Sequence, residues 1–327
     1  MKYYIGVDIG GTKCAVTLGG CEGEDIRILD KSAFPTEPRR GVERALGLLR
    51  EDTGSLLRRN GLQASDIARV GISCGGPLNS RSGVILSPPN LIGWDHVEIT
   101  RFFEESFGIP ASLQNDANAC ALAEWLFGAG RGYSSLIFIT FGTGFGAGLI
   151  LDGRLYSGAS DMAGEIGHVR LEGFGPVGYG KMGSLEGFCS GGGIAQLARA
   201  KALEKLQRGE APAFCENAEA LERITAKSVA EAARAGDSLA REIYRVSGTY
   251  LGRGLSLLVD VLNPELIIIG SIFARDQELL WPPAREVMET ECLVHARHAC
   301  KVVSAELGES LGDYAAIAVA VRGGGEA

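Results

Sequence analysis

Positive charge is in short supply. Lysine and arginine number 32 against 40 aspartates and glutamates, a formal net charge of -8 at pH 7 over 327 residues. A nucleic-acid surface needs clustered cations facing phosphates, so no nucleic-acid partner is expected. Long apolar runs are missing too: no stretch approaches the roughly 20 residues of a membrane span. Met1 to Gly10 enters a strand pattern directly, with no charged segment ahead of an apolar core of the signal-peptide kind. The eight cysteines contain no CxxC pair, which suits free thiols in a reducing cytosol better than a disulfide framework. A cytoplasmic location follows as the expectation. The standard nucleotide motifs are also absent. GxxxxGK[ST] does not occur, and Gly142-x-Gly144-x-Gly146-x-Gly148 departs from GxGxxG because position 147 is alanine and a strand, not a helix, follows.

What is present is an ordinary globular composition, 46% hydrophobic and 22% charged, with an unusual 47 glycines. Glycine at that density marks tight turns and places where backbone must approach a ligand. The length exceeds what one core usually fills, so two domains with a cleft between them are expected.

Along the chain, Tyr3 to Ile9 and Cys14 to Leu18 read as two strands around a Gly10-Gly11 turn, a hairpin. A third strand fits 26–31. Apolar residues at Val42, Ala45, Leu46, Leu48, Leu49, Leu56 and Leu57 then give a helical period ended by Asn60-Gly61, and Val70 to Ser73 returns to strand. This β-β-β-α-β order is an α/β architecture. A similar module begins near 134: strands at 136–140 and 147–151 flank Phe141-Gly142-Thr143-Gly144, which hints at duplication. Between the modules, Asn115 to Phe127 reads as a helix opened by Asn115-Asp116 and expected to bridge the cleft. Helices are predicted at 194–206, at 237–262 with interruptions at Gly248, Gly252 and Gly254, and at 311–321. Pro264 to Ser271 reads as a buried β-branched run ending in glycine, typical of a parallel strand whose C-terminal end meets a ligand. The tail Gly323 to Ala327 is expected to fray.

The two Gly/Thr turns offer backbone amides without side-chain obstruction, as crowded phosphate oxygens require. Singly, each could be a plain hairpin turn. As a pair, with Asp8 and Lys13 flanking the first, phosphate clamping by Gly10, Gly11, Thr12, Lys13, Gly142, Thr143 and Gly144 is the better reading. Asp8 ends an apolar strand, where a carboxylate is costly unless it meets a cation, a water or a hydrogen-bond donor. Water-mediated Mg²⁺ binding suits it; stabilising the turn is the alternative. Glycines 191–193 and Gly270 fit either a nucleoside contact or plain helix and strand ends.

Six spaced elements, Asp8-Ile9-Gly10-Gly11-Thr12-Lys13, Gly75-Gly76-Pro77, Pro88-Pro89-Asn90-Leu91, Asn115-Asp116-Ala117-Asn118, Gly142-Thr143-Gly144 and Ala163-Gly164-Glu165-Ile166-Gly167-His168, together resemble the ROK family of sugar kinases and sugar-responsive repressors. The resemblance runs from residue 3 to about residue 320. It implies an actin-like ATPase fold of two ribonuclease-H-like domains with ATP and sugar in the cleft, and a homodimer. The expected division is an N-terminal α/β domain over 1–114, joined by the C-terminal helix 311–322, and a C-terminal α/β domain over 115–310.

The same resemblance makes Asp116 the catalytic base, helix capping being the ordinary alternative, and assigns sugar contacts to Gly76, Asn115, Glu165, His168 and Glu186. A core histidine is the plain alternative for His168. Many relatives carry Cys-x-Cys-Gly-x-x-Gly-Cys, which binds zinc with the histidine matching His168. Here that stretch reads Val177-Gly178-Tyr179-Gly180-Lys181-Met182-Gly183-Ser184, so the thiolates are gone and a four-ligand site cannot form. Tyr179 and Met182 are expected to hold the loop through hydrogen bonds or packing, with no structural zinc. Cys292, His295, His298 and Cys300 mimic a metal site but share no compact helix face, and the resemblance offers no counterpart.

These features imply an ATP- and Mg²⁺-dependent hexose kinase, with glucose at its 6-hydroxyl the leading substrate and N-acetylmannosamine or N-acetylglucosamine the alternatives. A non-catalytic sugar-sensing regulator is less favoured, since the chain starts at its first strand without room for a helix-turn-helix and retains Asp116.

Overall fold

The computed structural model describes residues 1–23 and 25–323. From residue 324 onward, the expected frayed tail lies outside the described residues. The elements run β1 (Lys2–Ile9), β2 (Lys13–Glu22), β3 (Asp25–Pro35), α1 (Val42–Arg59), β4 (Ile67–Cys74), β5 (Leu78–Asn79), β6 (Val84–Ile85), β7 (Val97–Glu98), α2 (Ile99–Phe107), β8 (Ala111–Asn115) and α3 (Asp116–Phe127). There follow β9 (Leu136–Phe141), β10 (Phe145–Leu151), β11 (Arg154–Leu155), β12 (Val177–Gly178), β13 (Lys181–Met182), α4 (Leu185–Phe188), α5 (Gly191–Gln207), α6 (Ala226–Arg234) and α7 (Ser238–Leu262). The chain closes with β14 (Leu266–Ile269), α8 (Ile272–Glu291), α9 (Val294–Ala299), β15 (Lys301–Ser304) and α10 (Leu311–Arg322).

Two five-stranded sheets share one plan. Their orders are β3-β2-β1-β4-β8 and β11-β10-β9-β14-β15. In the first, β1 pairs antiparallel with β2 and parallel with β4, and β4 parallel with β8. In the second, β14 pairs parallel with both β9 and β15. A hairpin on one side and crossover strands on the other therefore occur twice, the duplication that the two Gly/Thr turns suggest. The chain divides into two compact units, one of residues 1–134, 148–163 and 306–323, the other of residues 135–147 and 164–305. Residues 115–134, including α3, fall in the first unit.

In the first unit, strand alternation sends Ile5, Val7 and Ile9 into a core with Leu49, Leu56, Phe103 and Trp94. Gly6 and Asp8 face the other way, toward α10. Contact there is close: a Cβ on Gly71 of β4 would lie 2.2 Å from the Ala316 carbonyl oxygen and the Ala320 amide nitrogen. The alanine-rich α10 is thereby seated against bare backbone, and all of Ala315 to Ala320 is buried.

In the second unit, α7 runs unbroken through its three glycines. They are a packing groove and not interruptions: a Cβ on Gly248 would lie 2.5 Å from Pro283 Cγ, and one on Gly252 2.5 Å from the Ala284 oxygen. The helix opens where Asp237 accepts the Ala240 amide at 2.8 Å and stops at left-handed Asn263 (φ 46°). α8 escapes the periodic pattern because Pro282 and Pro283 lie inside it.

Candidate active site

In the first unit the parallel strands β1, β4 and β8 end side by side. Asp8 is level with Ser73, Ile9 with Cys74, and Cys74 with Asn115. Ligands gather at such carboxyl ends, where loops leave without blocking the strands. Asn115 is the N-cap of α3: its Oδ1 accepts the Ala117 amide at 2.9 Å. Asp116 is the first helical residue, and its Oδ1 accepts the same amide at 2.9 Å. Next to them a Cβ on Gly75 would lie 4.0 Å from Asp116 Oδ2, and one on Gly76 3.5 Å from Asn115 Nδ2. The glycine pair leaves both side chains open, and Gly76 precedes a cis Pro77.

Asp116 is an exposed residue, yet desolvation by surrounding protein pushes its carboxyl above the ordinary carboxylate value, with the Ala117 amide opposing. The two facts agree for a group that solvent reaches and protein rings, and accessibility is the one that decides whether a hydroxyl can approach. Asp8 is raised to about 6, by burial first and then by the charges of Asp116 and Asp313; Lys31 and Lys13 oppose. Asp313 is held from α10 by Lys31 Nζ at 2.6 Å and by the Thr17 hydroxyl at 3.3 Å.

The turn after β1 is fixed at several points. The Gly10 amide donates to the Lys13 carbonyl at 3.0 Å. Thr36, directly after β3, donates its amide to the Thr12 carbonyl at 3.0 Å and its hydroxyl to the Gly10 carbonyl at 2.5 Å. Asn90, in the Pro-Pro-Asn-Leu segment, fills the space over Gly11, where a Cβ would lie 2.8 Å from Asn90 Cβ. Thr12 and Lys13 are exposed.

The second unit builds a matching turn after β9. Gly142 donates its amide to the Gly144 carbonyl at 3.0 Å and accepts from the Gly191 amide at 2.9 Å. Glycines 191–193 are the first turn of α5, whose N-terminus is set against the Gly142 turn, with the Gly193 amide taken by Ser190 Oγ at 3.0 Å. Gly270 ends β14, where its amide donates to the Ile139 carbonyl at 2.9 Å. The next residue, Ser271, has the unusual backbone φ 57°, ψ −117°, and its Oγ lies 3.6 Å from where a Gly142 Cβ would be.

Glu186, in α4, reaches the same turn. Its Oε2 accepts the Phe145 amide at 3.0 Å and would lie 3.0 Å from a Cβ on Gly144. Its Cβ also approaches Gly167, within the helical turn that carries Glu165 and His168. Glu186, Glu165 and His168 thus share one neighbourhood in the second unit. His168 packs edge-on against Tyr179, ring centroids 5.0 Å apart, and its carbonyl accepts Lys181 Nζ at 2.7 Å.

The loop matching the zinc segment is a small β12–β13 hairpin, pinned where Gly183 donates to the Pro176 carbonyl at 2.9 Å and Leu185 to that of Val169 at 2.9 Å. Tyr179 meets the His168 ring edge-on but is itself 65% exposed, so the loop is not held by burial of this side chain. Met182 is 46% exposed as well; Lys181 is the side chain that ties the loop to His168. Among the described residues no three His, Cys, Asp or Glu side chains come together to hold a metal, at His168 or at Cys292 to Cys300. Thr36 and Lys181 are the residues to which the sequence assigns no role here; Asn90 and Ser271 enter its reading only as part of the Pro88-Pro89-Asn90-Leu91 element and as the end of the 264–271 strand.

No described helix is long and apolar enough to cross a membrane. Residues 4–322 match the ROK family. The glucokinase of Halalkalibacterium halodurans is 32% identical over 95% of this chain and 92% of its own length. A solved ROK glucokinase of Streptomyces griseus, in complex with glucose and AMPPNP, superposes with a TM-score of 0.76 at 29% identity, covering 98% of this chain and 99% of that one. A xylose repressor of Caldicellulosiruptor bescii is 28% identical over 93% of this chain and 74% of its own length. With two sheets of one repeated plan, the fold is the actin-like ATPase fold, and the chain belongs to the ROK family.

Proposed function

We propose that this chain is a kinase that transfers the γ-phosphate of MgATP to a hexose, glucose at its 6-hydroxyl first. One observation carries the reading: Asp116 presents a solvent-reachable carboxyl on the first turn of α3, beside Asn115 and the open Gly75-Gly76 pair. A sugar hydroxyl is a weak nucleophile. With Asp116 accepting its proton, the hydroxyl oxygen bonds to the γ-phosphorus while the bond to the bridging oxygen breaks, and ADP leaves with that electron pair.

Asn115, Gly76, Glu165, His168 and Glu186 are assigned to the sugar, whose epimers differ in which buried polar group they leave unpaired. Gly10, Gly11, Thr12 and Lys13 are assigned to phosphate oxygens, as are Gly142, Thr143 and Gly144, and Gly270 to the nucleoside. Asp8, raised to about 6 by burial and then by the charges of Asp116 and Asp313, is assigned to a divalent cation held through water, since among the described residues no three acidic side chains come together to ligate one directly. Magnesium held there through water would offset charge on the transferring phosphoryl group. We place the enzyme in the cytoplasm, as a homodimer without structural zinc.

The H. halodurans glucokinase supports glucose as the first substrate. The repressor relative supports a second reading, a sugar-sensing regulator without catalysis. An ADP-release assay over glucose, mannose, N-acetylmannosamine and N-acetylglucosamine separates them. Glucose-dependent release supports the proposal, release with an N-acetylhexosamine alone moves the substrate, and sugar binding without release favours the regulator.

A further inference from the structure

Thr36 is buried, 5% exposed, directly after β3, twenty-four or more residues away from the carbonyls it touches. It makes two hydrogen bonds to that turn, hydroxyl to the Gly10 carbonyl and amide to the Thr12 carbonyl. The third carbonyl of the loop, that of Lys13, takes the Gly10 amide. Three of the four carbonyls from Gly10 to Lys13 are thus engaged by protein donors. Among the described residues, no hydrogen bond uses the amides of Gly11 or Thr12. Cys14 Sγ lies 3.4 Å from the Thr36 hydroxyl oxygen. Since that hydroxyl donates to Gly10, the thiol is the donor in this contact, and burial keeps it protonated. A relay of Cys14, Thr36 and Gly10 fixes which way the hydroxyl points.

An anion is repelled by carbonyl oxygens and attracted by amides, so a phosphate-binding turn works only if its carbonyls face away. We propose that Thr36 is the positioning residue of the first phosphate turn: its hydroxyl and amide hold the Gly10 and Thr12 carbonyls so that the Gly11 and Thr12 amides face the β- and γ-phosphates of the nucleotide, which AMP lacks. The proposal rests on the phosphate assignment of that turn. Thr36 itself touches no substrate.

Three variants test it. Thr36→Val keeps the shape and loses the hydroxyl; Thr36→Ser and Thr36→Ala differ from each other only in the hydroxyl, and give the same comparison should the valine variant fail to fold. Calorimetric binding of MgAMPPNP and of AMP is measured with KM for ATP and for the sugar. Thr36→Val is expected to weaken MgAMPPNP and raise KM for ATP about tenfold, with Thr36→Ala following it and Thr36→Ser staying within about twofold of wild type. AMP affinity and sugar KM stay unchanged. A purely structural residue would lower stability and leave this phosphate-selective loss absent. Unchanged MgAMPPNP affinity in the valine and alanine variants, or equal weakening of AMP, overturns the assignment. If the wild type binds neither nucleotide, the kinase reading fails instead, a result distinct from a binding wild type with indifferent variants.

Discussion

Asn115 and Asp116 share a single donor: the Ala117 amide lies 2.9 Å from Oδ1 of each. Capping of α3 therefore does not depend on Asp116. Asp116→Asn is expected to change stability by less than about 1 kcal/mol, because Asn115 remains as the cap. Turnover should fall by about 10²–10⁴ with sugar binding retained, the loss that follows removal of a general base. Thermal melting, sugar calorimetry and ADP release on the same preparation separate the two effects.

The raised carboxyl of Asp8 makes stability depend on pH in a defined direction. Its folded value, about 6, exceeds the ordinary 3.8, so the folded chain holds this proton more tightly than the unfolded chain. Lowering the pH from 6 toward 4 favours the folded state at this site; raising it through 6 develops the full penalty. That penalty is at most about 3 kcal/mol. Asp8→Asn should therefore melt higher than wild type at pH 7.5 and equal to it near pH 4, and Mg²⁺ should narrow the difference at pH 7.5. Melting curves at both pH values check this.

Lys181 holds the His168 segment by its carbonyl. Lys181→Met should raise the sugar KM about three- to tenfold, less than the about 1.5–3 kcal/mol of a hydrogen bond to a charged donor because Lys181 acts on the sugar only through His168, and leave KM for ATP unchanged. Because no thiolate stands beside His168, the purified protein should carry no stoichiometric zinc, and EDTA should leave melting unchanged. Elemental analysis together with melting tests both statements.

Gly71→Ala should cost several kcal/mol, since its Cβ would sit 2.2 Å from backbone atoms of α10 that cannot swing aside. Gly47→Ala, with nothing within 4 Å, is the matched control, and in a helix it should be neutral or mildly stabilising. Denaturant unfolding of the pair gives the difference.

Local patterns made much of this fold legible. The β1–β2 hairpin and β4 are short β-branched runs around glycine turns, and α1 shows its period up to Asn60-Gly61. β3 extends to Pro35, beyond the expected 26–31, because Lys31, Ala33 and Pro35 on it are exposed and break the apolar signal. α8 was hidden by Pro282-Pro283, and β15 by being four residues long behind a histidine-rich helix. The two turns and the Asn115-Asp116 helix start could be read from local residues alone. Thr36 and Lys181 could not. Each acts on backbone 13 or more residues distant through contacts that leave no periodic trace.

Identifying the product decides whether Asp116 acts as the base of a glucose 6-kinase. Wild type and Asp116→Asn are incubated with MgATP and isotopically labelled glucose, and the phosphorylated carbon is located by NMR. Glucose 6-phosphate is expected with wild type and little or none with Asp116→Asn. Phosphorylation that survives in Asp116→Asn at the wild-type rate would contradict that role.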